Sequence, residues 1–267
     1  MLRKKNRQLA SSSSPQIAIH EGERRSPEAE SAGRPRYVQI IESLRQRLAA
    51  REWKPGDVLP GESSLAREYG VSHGTMRKAI DGMVAQSLLV RYQGKGTFVA
   101  THDWHRAVYR FAPLVNEDGK RELPSGRVVK RDEGVATADE LKRLQLRAGS
   151  RVIRILRTRS FRDVPVIVER IVLPASRFPN FGAEHDGDLP QLLYGYYSER
   201  YEITVVEALE QVRAVTADRS EARLLGVPNS YPLLEIDRLV LDINQKPVEW
   251  RISRCDTKHY FYENRLS

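Results

Sequence analysis

Residues 70–99, GVSHGTMRKAIDGMVAQSLLVRYQGKGTFV, constrain the fold of this chain more than any other segment. A polar turn at Gly70 leads into a pattern of helical period, and Ser72 is placed to cap that helix. Two β-rich runs, LLVRY and TFVA, follow at once, joined by Gln93-Gly94-Lys95-Gly96, whose glycines permit the positive φ of a hairpin. The buried stripe of the helix is predicted at Met76, Ile80, Met83 and Val84.

Two more helical patterns precede this segment. The first ends at KPGDVLPG (residues 54–61), where two prolines and two glycines interrupt it. A short helix over residues 62–69 follows, and Gly70 suits its left-handed C-terminus. Helix, helix-turn-helix and hairpin in this order predict a winged helix-turn-helix. The apolar stripe of the first helix is Tyr37, Ile40, Ile41, Leu44 and Leu48.

The net charge of +9 is concentrated in the same part of the chain. Residues 34–100 contain eleven Lys and Arg and only six Asp and Glu. Such a local excess indicates a polyanionic partner. The 267 residues, 40% of them hydrophobic, suffice for one large or two medium domains, and no apolar run is long enough to span a bilayer.

A recognition helix presents its first turns to base edges while its far side packs on the domain. The hairpin tip places Lys95 between two glycines, which suits a phosphate or minor-groove contact. An exposed, solvated helix face is the alternative reading of the cationic positions. The outward positions of the second helix-turn-helix helix are Ser72, His73, Thr75, Arg77 and Lys78.

The second half of the chain contains a weak internal repeat. Residues 136–171 and 215–252 share T-A-D, a Leu-rich helix, a strand with Ile-x-Arg and a turn to Pro-Val. Thr137-x-x-Glu140 and Asp218-x-x-Glu221 have the form of capping boxes. The pattern predicts an α+β domain in which two helix-plus-hairpin halves share one antiparallel sheet.

Period-2 geometry places Arg157 and Arg159 on one strand face among apolar side chains. With a turn at residues 162–163, Glu169 falls opposite Arg157. Two cations and one anion leave a positive charge without a local partner, which predicts an anionic small-molecule ligand. A carboxylate from another strand that closes a structural network is the alternative.

Residues 36–99 resemble the DNA-binding domain of GntR-family bacterial transcription regulators. The resemblance rests on GDVLPGESSLAREYGVSHGTMRKAI and LLVRYQGKGTFV. It implies that Thr75, Arg77, Gln93 and Gly94 contact DNA. His73 and Ser63 stand where family members often have DNA-contacting arginines, and Gly61 replaces a serine.

The segment from about residue 110 to 263 resembles the UTRA effector domain of the HutC-like subfamily, which has a chorismate-lyase-like fold. In members that take phosphorylated sugars, an Arg-x-Arg pair holds the phosphate and two glutamates hold hydroxyls. The position of a phosphate-contacting serine falls at Asp188, which would repel phosphate, so a carboxylate or partly cationic effector is equally admissible. A common tyrosine is Cys255 here. The residues that match the ligand positions are Arg157, Arg159, Glu169 and Glu249.

We therefore predict an N-terminal arm without regular structure (1–33), a winged helix-turn-helix (34–101), a connector (102–119) and an effector-binding and dimerisation domain (120–267). A single cysteine excludes an internal disulfide and fits a reducing cytoplasm. The basic N-terminus lacks the apolar stretch of a secretory signal. No cofactor or metal site is expected, because the six histidines are scattered and no phosphate-binding glycine loop occurs.

The predicted function is a homodimeric regulator that binds palindromic operator DNA and responds to a small, anionic metabolite. The resemblance implies a repressor, since members of this family are most often repressors. One alternative is a DNA-binding protein without an effector response, in which Arg157→Ala and Arg159→Ala would leave operator release unchanged. An enzyme of chorismate-lyase-like fold is another, which turnover of an effector would reveal. A helical metal-binding effector domain disagrees with the strand-rich second half, and an aminotransferase domain would need a longer chain.

Overall fold

The structure, a computed structural model, describes residues 34–86, 88–100, 114–183 and 188–264. The predicted N-terminal arm lies outside these residues, as does most of the predicted connector. From Arg36 onward the chain forms one unit. It has an N-terminal winged helix-turn-helix and a C-terminal domain built on an antiparallel sheet, which confirms the predicted α+β fold class.

The winged helix-turn-helix contains the predicted three helices and hairpin. The Ser72 hydroxyl accepts a hydrogen bond from the Thr75 backbone N–H at 3.2 Å, so the predicted N-cap is present. Gly70, Gly94 and Gly96 all have positive φ, as the helix end and the wing require. The elements are α1 (Arg36–Ala49), α2 (Glu62–Glu68), α3 (His73–Ala85), β1 (Leu89–Tyr92) and β2 (Gly96–Val99).

The apolar stripes of the three helices meet in one core. Leu44, Leu65 and Met76 are fully buried there, one from each helix. Val206 and Ile243 of the C-terminal domain belong to the same cluster. The predicted stripes therefore form the core of the N-terminal head, and that core extends into the second domain.

A six-stranded antiparallel sheet forms the centre of the C-terminal domain, in the order β4-β5-β6-β9-β8-β7. A separate two-stranded sheet pairs β3 (Leu114–Asn116), which lies in the predicted connector, with β10 (Tyr260–Tyr262). The six strands are β4 (Ser125–Val135), β5 (Arg151–Phe161), β6 (Val164–Pro174), β7 (Val205–Thr216), β8 (Pro232–Asp242) and β9 (Pro247–Cys255).

The predicted internal repeat appears as two similar halves. Each half is a strand, a short helix and a hairpin. The first half is β4, α4 (Ala138–Arg143), β5 and β6, and the second is β7, α6 (Arg219–Leu225), β8 and β9. The two hairpins meet where β6 pairs with β9. Both predicted capping boxes are formed, at the starts of α4 and α6. The repeat therefore determines the symmetry of the sheet.

The two faces of the sheet have different covers. On the outer face, α4 packs beside Val152 and Leu239, and α6 packs beside Val168 and Leu233. On the inner face, helix α5 (Leu193–Tyr201) covers one end through a cluster of aromatic side chains. The β3–β10 sheet covers the other end of the inner face. Polar side chains of the inner face lie between these two covers.

Replacing Asp218 tests the capping box of α6. Its carboxylate accepts hydrogen bonds from the Ser220 and Glu221 backbone N–H groups, both at 2.8 Å. We expect Asp218→Ala to lower the free energy of unfolding by about 1 kcal/mol, because those donors lose their acceptor. Asp218→Asn, which also caps well, should cost only a few tenths of a kcal/mol. Urea denaturation measures both, and equal losses would contradict the capping role.

Candidate functional site

The exposed face of α3 carries the residues predicted to read DNA. Ser72, His73, Arg77 and Lys78 are exposed, whereas Thr75 is half-buried beside its capping partner. Within the described part of the chain, Arg77 makes no ion pair. The Lys78 ammonium lies 4.2 Å from the centre of the Tyr37 ring. Helix α3 thus presents one unpaired cation and several short polar groups on a single face.

Two neighbouring elements border that face. Ser63 is exposed on α2, near the Glu62 carboxylate, which lies 3.4 Å from His73 Nε2. At the wing tip Gln93, Gly94 and Lys95 are all exposed. Lys95 has no ion pair with any described residue, so its charge is available to a partner. The structure therefore places the predicted helix and wing residues, apart from the half-buried Thr75, on exposed surface.

Arg91 has a role that the sequence did not reveal. Its guanidinium pairs with Asp81 of α3 and Glu62 of α2, and so braces the wing against both helices. Burial works against the charged form, but the two carboxylates outweigh it and raise the pKa of Arg91. The three residues belong to three different elements, so no local sequence pattern predicts that they form ion pairs. Because its charge is already balanced, Arg91 acts as a positioning residue.

The inner face of the C-terminal sheet contains a buried ion pair between Arg157 and Glu169. The two residues are direct cross-strand partners of β5 and β6, as predicted. Arg157 Nε donates to the Glu169 carboxylate, and both side chains are almost fully buried. Burial alone would raise the pKa of Glu169, but Arg157, Arg251 and Arg159 hold it well below its usual range. The carboxylate therefore remains ionised.

Arg159 lies two residues after Arg157 on the same strand face, and not all of its hydrogen-bond donors have acceptors. Its Nη2 donates to the Pro124 carbonyl at 2.9 Å, while Nη1 lies 3.9 Å from Glu169. Its Nε is buried without a hydrogen-bond partner among the described residues, and so is Nη2 of Arg157. Burial and the neighbouring arginines lower the pKa of Arg159 to about 9. No described carboxylate closes this network, which favours the predicted anionic ligand over the structural alternative.

Two further buried arginines face the same site, and the sequence analysis did not select them. Arg251 on β9 donates to Glu169 at 3.3 Å. Arg238 on β8 pairs with Glu210 and donates to the Tyr194 hydroxyl. A signal was present, because the repeated Ile-x-Arg of the two halves places Arg157 and Arg238 at corresponding strand positions.

Glu249, which the resemblance assigns to ligand hydroxyls, is held by the protein itself. It is fully buried, and Arg251 binds both of its oxygens at 2.9 Å. The hydroxyls of Tyr197 and Tyr194, both on α5, donate to the two oxygens at 2.6 and 3.2 Å. Burial, followed by the charge of Glu249, raises the pKa of both tyrosines. They remain neutral donors.

A cavity of about 60 Å³ lies among these side chains, beneath the β3–β10 sheet. Arg159, Glu169, Arg238, Arg251 and Ser253 form its polar side, and Cys255 lines its apolar side. Asp188 is exposed and is not part of this cavity. A larger groove of about 360 Å³ lies on the outer face, but its arginines are already paired, Arg154 with Glu140 and Arg170 with Glu221. Unsatisfied buried charge therefore distinguishes the smaller cavity.

Comparison with protein families gives two matches to this chain. Residues 36–99 match the family of bacterial regulatory proteins called gntR, and residues 120–260 match the UTRA domain. The chain is a UTRA-domain member of the gntR family. The predicted recognition is confirmed: this gntR–UTRA protein is a DNA-binding transcription regulator with a domain for a small-molecule effector, and it is not an enzyme.

Curated relatives match over most of their length. The mannosyl-D-glycerate transport/metabolism system repressor of Escherichia coli is 29% identical, over 83% of this chain and 85% of that protein. The histidine utilization repressor of Pseudomonas putida is also 29% identical, over 87% of this chain and 92% of that protein. A crystal structure of the ligand-binding domain of a GntR-family regulator from Bordetella bronchiseptica has a TM-score of 0.54 and 31% identity, covering 60% of this chain and 99% of that one.

Two further findings concern membrane-spanning helices and metal sites. Across the ranges that the structure describes, no helix has the length and apolar character needed to cross a bilayer. In the same ranges, no three His, Cys, Asp or Glu side chains converge in a way that could hold a metal ion.

Acid denaturation tests the charge state of Glu169. Its pKa is lower in the folded chain than in the unfolded chain, so its contribution to stability is present above about pH 4 to 5 and is lost as the pH falls further. We expect the difference in free energy of unfolding between wild type and Glu169→Gln to narrow by roughly 1.4 kcal/mol per pH unit below that range. Urea denaturation from pH 7 to pH 3 measures the difference. The exposed Glu133→Gln is the control, and a constant Glu169 difference would show that the carboxylate is not ionised.

Proposed function

We propose that this gntR–UTRA protein is a repressor that binds a palindromic operator as a homodimer and leaves it when a small anionic metabolite binds the inner-face cavity. The exposed, unpaired cations Arg77 and Lys95 on the two elements that border one surface carry the DNA-binding part of this proposal. The buried, unsatisfied guanidinium of Arg159 carries the effector part.

The N-terminal half of α3 supports major-groove docking. Short polar groups at Ser72, His73 and Thr75 precede the cation of Arg77, and a helix N-terminus also favours a phosphate. Lys78 borders the same face, and Ser63 supports it from α2. We assign the base contacts to this face, with Arg77 as the main reader.

The wing supports a second contact beside the helix. Gln93, Gly94 and Lys95 form an exposed tip that Arg91 holds in place through α2 and α3. A tip without bulky side chains allows the backbone to approach the sugar-phosphate chain. We assign Lys95 to a phosphate, where it contributes affinity without sequence preference.

A homodimer is supported by the edges of the large sheet. Both edge strands expose apolar side chains, Val129 and Val135 on β4 and Leu209 and Val212 on β7. Exposed sheet edges of this kind tend to be covered by another chain. Two heads related by a two-fold axis would read half-sites about one helical turn apart, which is a palindrome. Light scattering on the purified chain would measure the mass directly.

The effector acts by shifting an equilibrium between two arrangements of the heads. It can do so only if its affinity for the two arrangements differs. We assign the binding of the anion to Arg159, which lines the cavity, while Glu169 holds Arg157 behind it. Glu249 holds Arg251 in position, and Asp188 has no place in this assignment.

Replacing Arg77 tests the docking of α3. We expect Arg77→Ala to weaken specific operator binding by roughly 1–3 kcal/mol, because a lost base contact costs that much. Fluorescence anisotropy with operator and scrambled duplexes measures the loss. Arg67→Ala is the control, since Arg67 is exposed on α2 and hydrogen-bonds its own helix at Ser63. Unchanged affinity and sequence preference in Arg77→Ala would contradict the assigned docking.

Replacing Lys95 tests the wing. We expect Lys95→Ala to reduce the slope of log affinity against log salt concentration by about 0.9, because one phosphate contact is removed. The loss should be nearly equal for operator and scrambled DNA. A salt titration by anisotropy gives the slope, and Lys142→Ala on the distant helix α4 is the control. An unchanged slope would remove the wing from the DNA contacts.

A further inference from the structure

The charge balance of the inner-face site limits the charge of its ligand. Arg157, Arg159, Arg238 and Arg251 are buried there, and three carboxylates face them: Glu169, Glu249 and Glu210. Glu122 at the rim is balanced by Arg162 at 2.8 Å. Among the described residues, one positive charge is therefore left over. A single negative charge completes the network, whereas a dianion would leave a buried excess of the opposite sign.

The unsatisfied donors indicate where that charge goes. Arg159 Nε and Arg157 Nη2 are both buried without acceptors in the described structure. Gly126 of β4 lies against the two side chains, and a Cβ at that position would come within 3.7 Å of Arg159 Nε and 4.0 Å of Arg157 Nη1. The glycine leaves open space beside two cationic groups. A planar carboxylate, which accepts through two oxygens, suits paired guanidinium donors.

The other polar group expected to bind a ligand is already occupied. Four donors from Arg251, Tyr194 and Tyr197 contact the two oxygens of Glu249. A carboxylate has about four lone-pair positions, so none remains for a ligand hydroxyl. A ligand hydroxyl would therefore gain no hydrogen bond from Glu249 in exchange for the one it loses to water.

The remaining wall of the cavity is apolar. It consists of Leu114, Phe161, Ile167, Ile236 and Cys255. Burial raises the pKa of the Cys255 thiol, so this wall stays uncharged. At about 60 Å³ the cavity is also far smaller than the roughly 300–1,000 Å³ of typical ligand sites. A compact apolar body beside one anionic group matches these surfaces.

We infer that the effector is a small monocarboxylate with an apolar body, whose carboxylate binds Arg159 and whose body packs against the wall formed by Phe161, Ile236 and Cys255. Arg157 lies behind Arg159 and does not itself line the cavity. Arg238 and Arg251 set the single-charge limit, because they are buried beside the ligand and hold Glu210 and Glu249. This inference rests on the proposed function, and it specifies the chemistry of the same cavity.

A thermal-shift panel on the full chain tests the class of ligand. The probes are isovalerate and benzoate, their neutral amides, gluconate as a hydroxyl-rich carboxylate, and glucose 6-phosphate as a dianion. We expect an apolar carboxylate at a hundredfold excess over its Kd to raise the melting temperature by about 5 °C. Its amide, gluconate and glucose 6-phosphate should give much smaller shifts. If no apolar carboxylate exceeds its own amide, or if gluconate or the phosphate gives the larger shift, the inference is wrong.

A pair of arginine variants locates the binding. Arg159→Gln should abolish the carboxylate shift, because it removes the unbalanced charge. Arg147→Gln, exposed in the loop before β5 and away from the cavity, should keep the shift. A carboxylate shift that survives in a folded Arg159→Gln chain would overturn the assignment to this cavity. If circular dichroism shows that Arg159→Gln is unfolded, the comparison of melting-temperature shifts among the probes on the wild-type chain still decides the class of ligand.

Operator binding without any probe separates the two possible failures. If the wild-type chain binds its operator and Arg77→Ala does not, the regulator proposal holds whatever the probes do. Failed carboxylates would then overturn only the ligand class. If the wild-type chain ignores the DNA upstream of its own gene at low salt, the proposed function itself fails.

Discussion

The ion pair between Arg157 and Glu169 is the interaction on which the second domain depends. It lies across β5 and β6, and Arg251 from β9 joins it, so the pair connects the two halves of the sheet at their junction. Buried charges are stable only when they are paired, and removing one partner costs about 3–5 kcal/mol. The strands must therefore keep the register that aligns these groups. A site with one more arginine than carboxylates follows from the same arrangement.

The polar network also contacts the helix that meets the DNA-binding head. Glu249 holds Arg251 on one side and the Tyr194 and Tyr197 hydroxyls of α5 on the other. On the same helix, the Ser198 carbonyl accepts a hydrogen bond from Arg51, just beyond the end of α1, at 3.1 Å. A charge introduced into the cavity thus acts on side chains that are one helix away from the head. Helix α5 therefore offers a physical route by which the cavity and the head can be coupled, since energetic coupling can pass through a packed element that both sites contact.

The surface proposed to bind DNA has the opposite arrangement of charge. In the buried site the arginines are held by carboxylates, whereas on the head Arg77 and Lys95 are exposed without ion pairs in the described residues. Arg91 lies close to them in sequence but is neutralised by Asp81 and Glu62. Its contribution is the position of the wing. Exposed cations without an ion pair contribute affinity for phosphates, whereas a cation paired with carboxylates holds neighbouring elements in position.

The sequence by itself determined the elements with a local signal. The head is predicted by Ser72, Gly70 and the wing glycines. Period-2 alternation with a turn at residues 162–163 places Glu169 opposite Arg157. Both predictions succeed because these features depend on the geometry of neighbouring backbone. Only the tertiary structure decided that Arg238 and Arg251 lie beside that pair. It also decided that tyrosine hydroxyls of α5 donate to the Glu249 carboxylate, and that Arg91 holds the wing against α2 and α3. These contacts unite residues far apart in the chain, and packing of the two sheet halves and the head brings them together. Local pattern fixes which face a side chain occupies, but burial and long-range charge balance decide what it meets there.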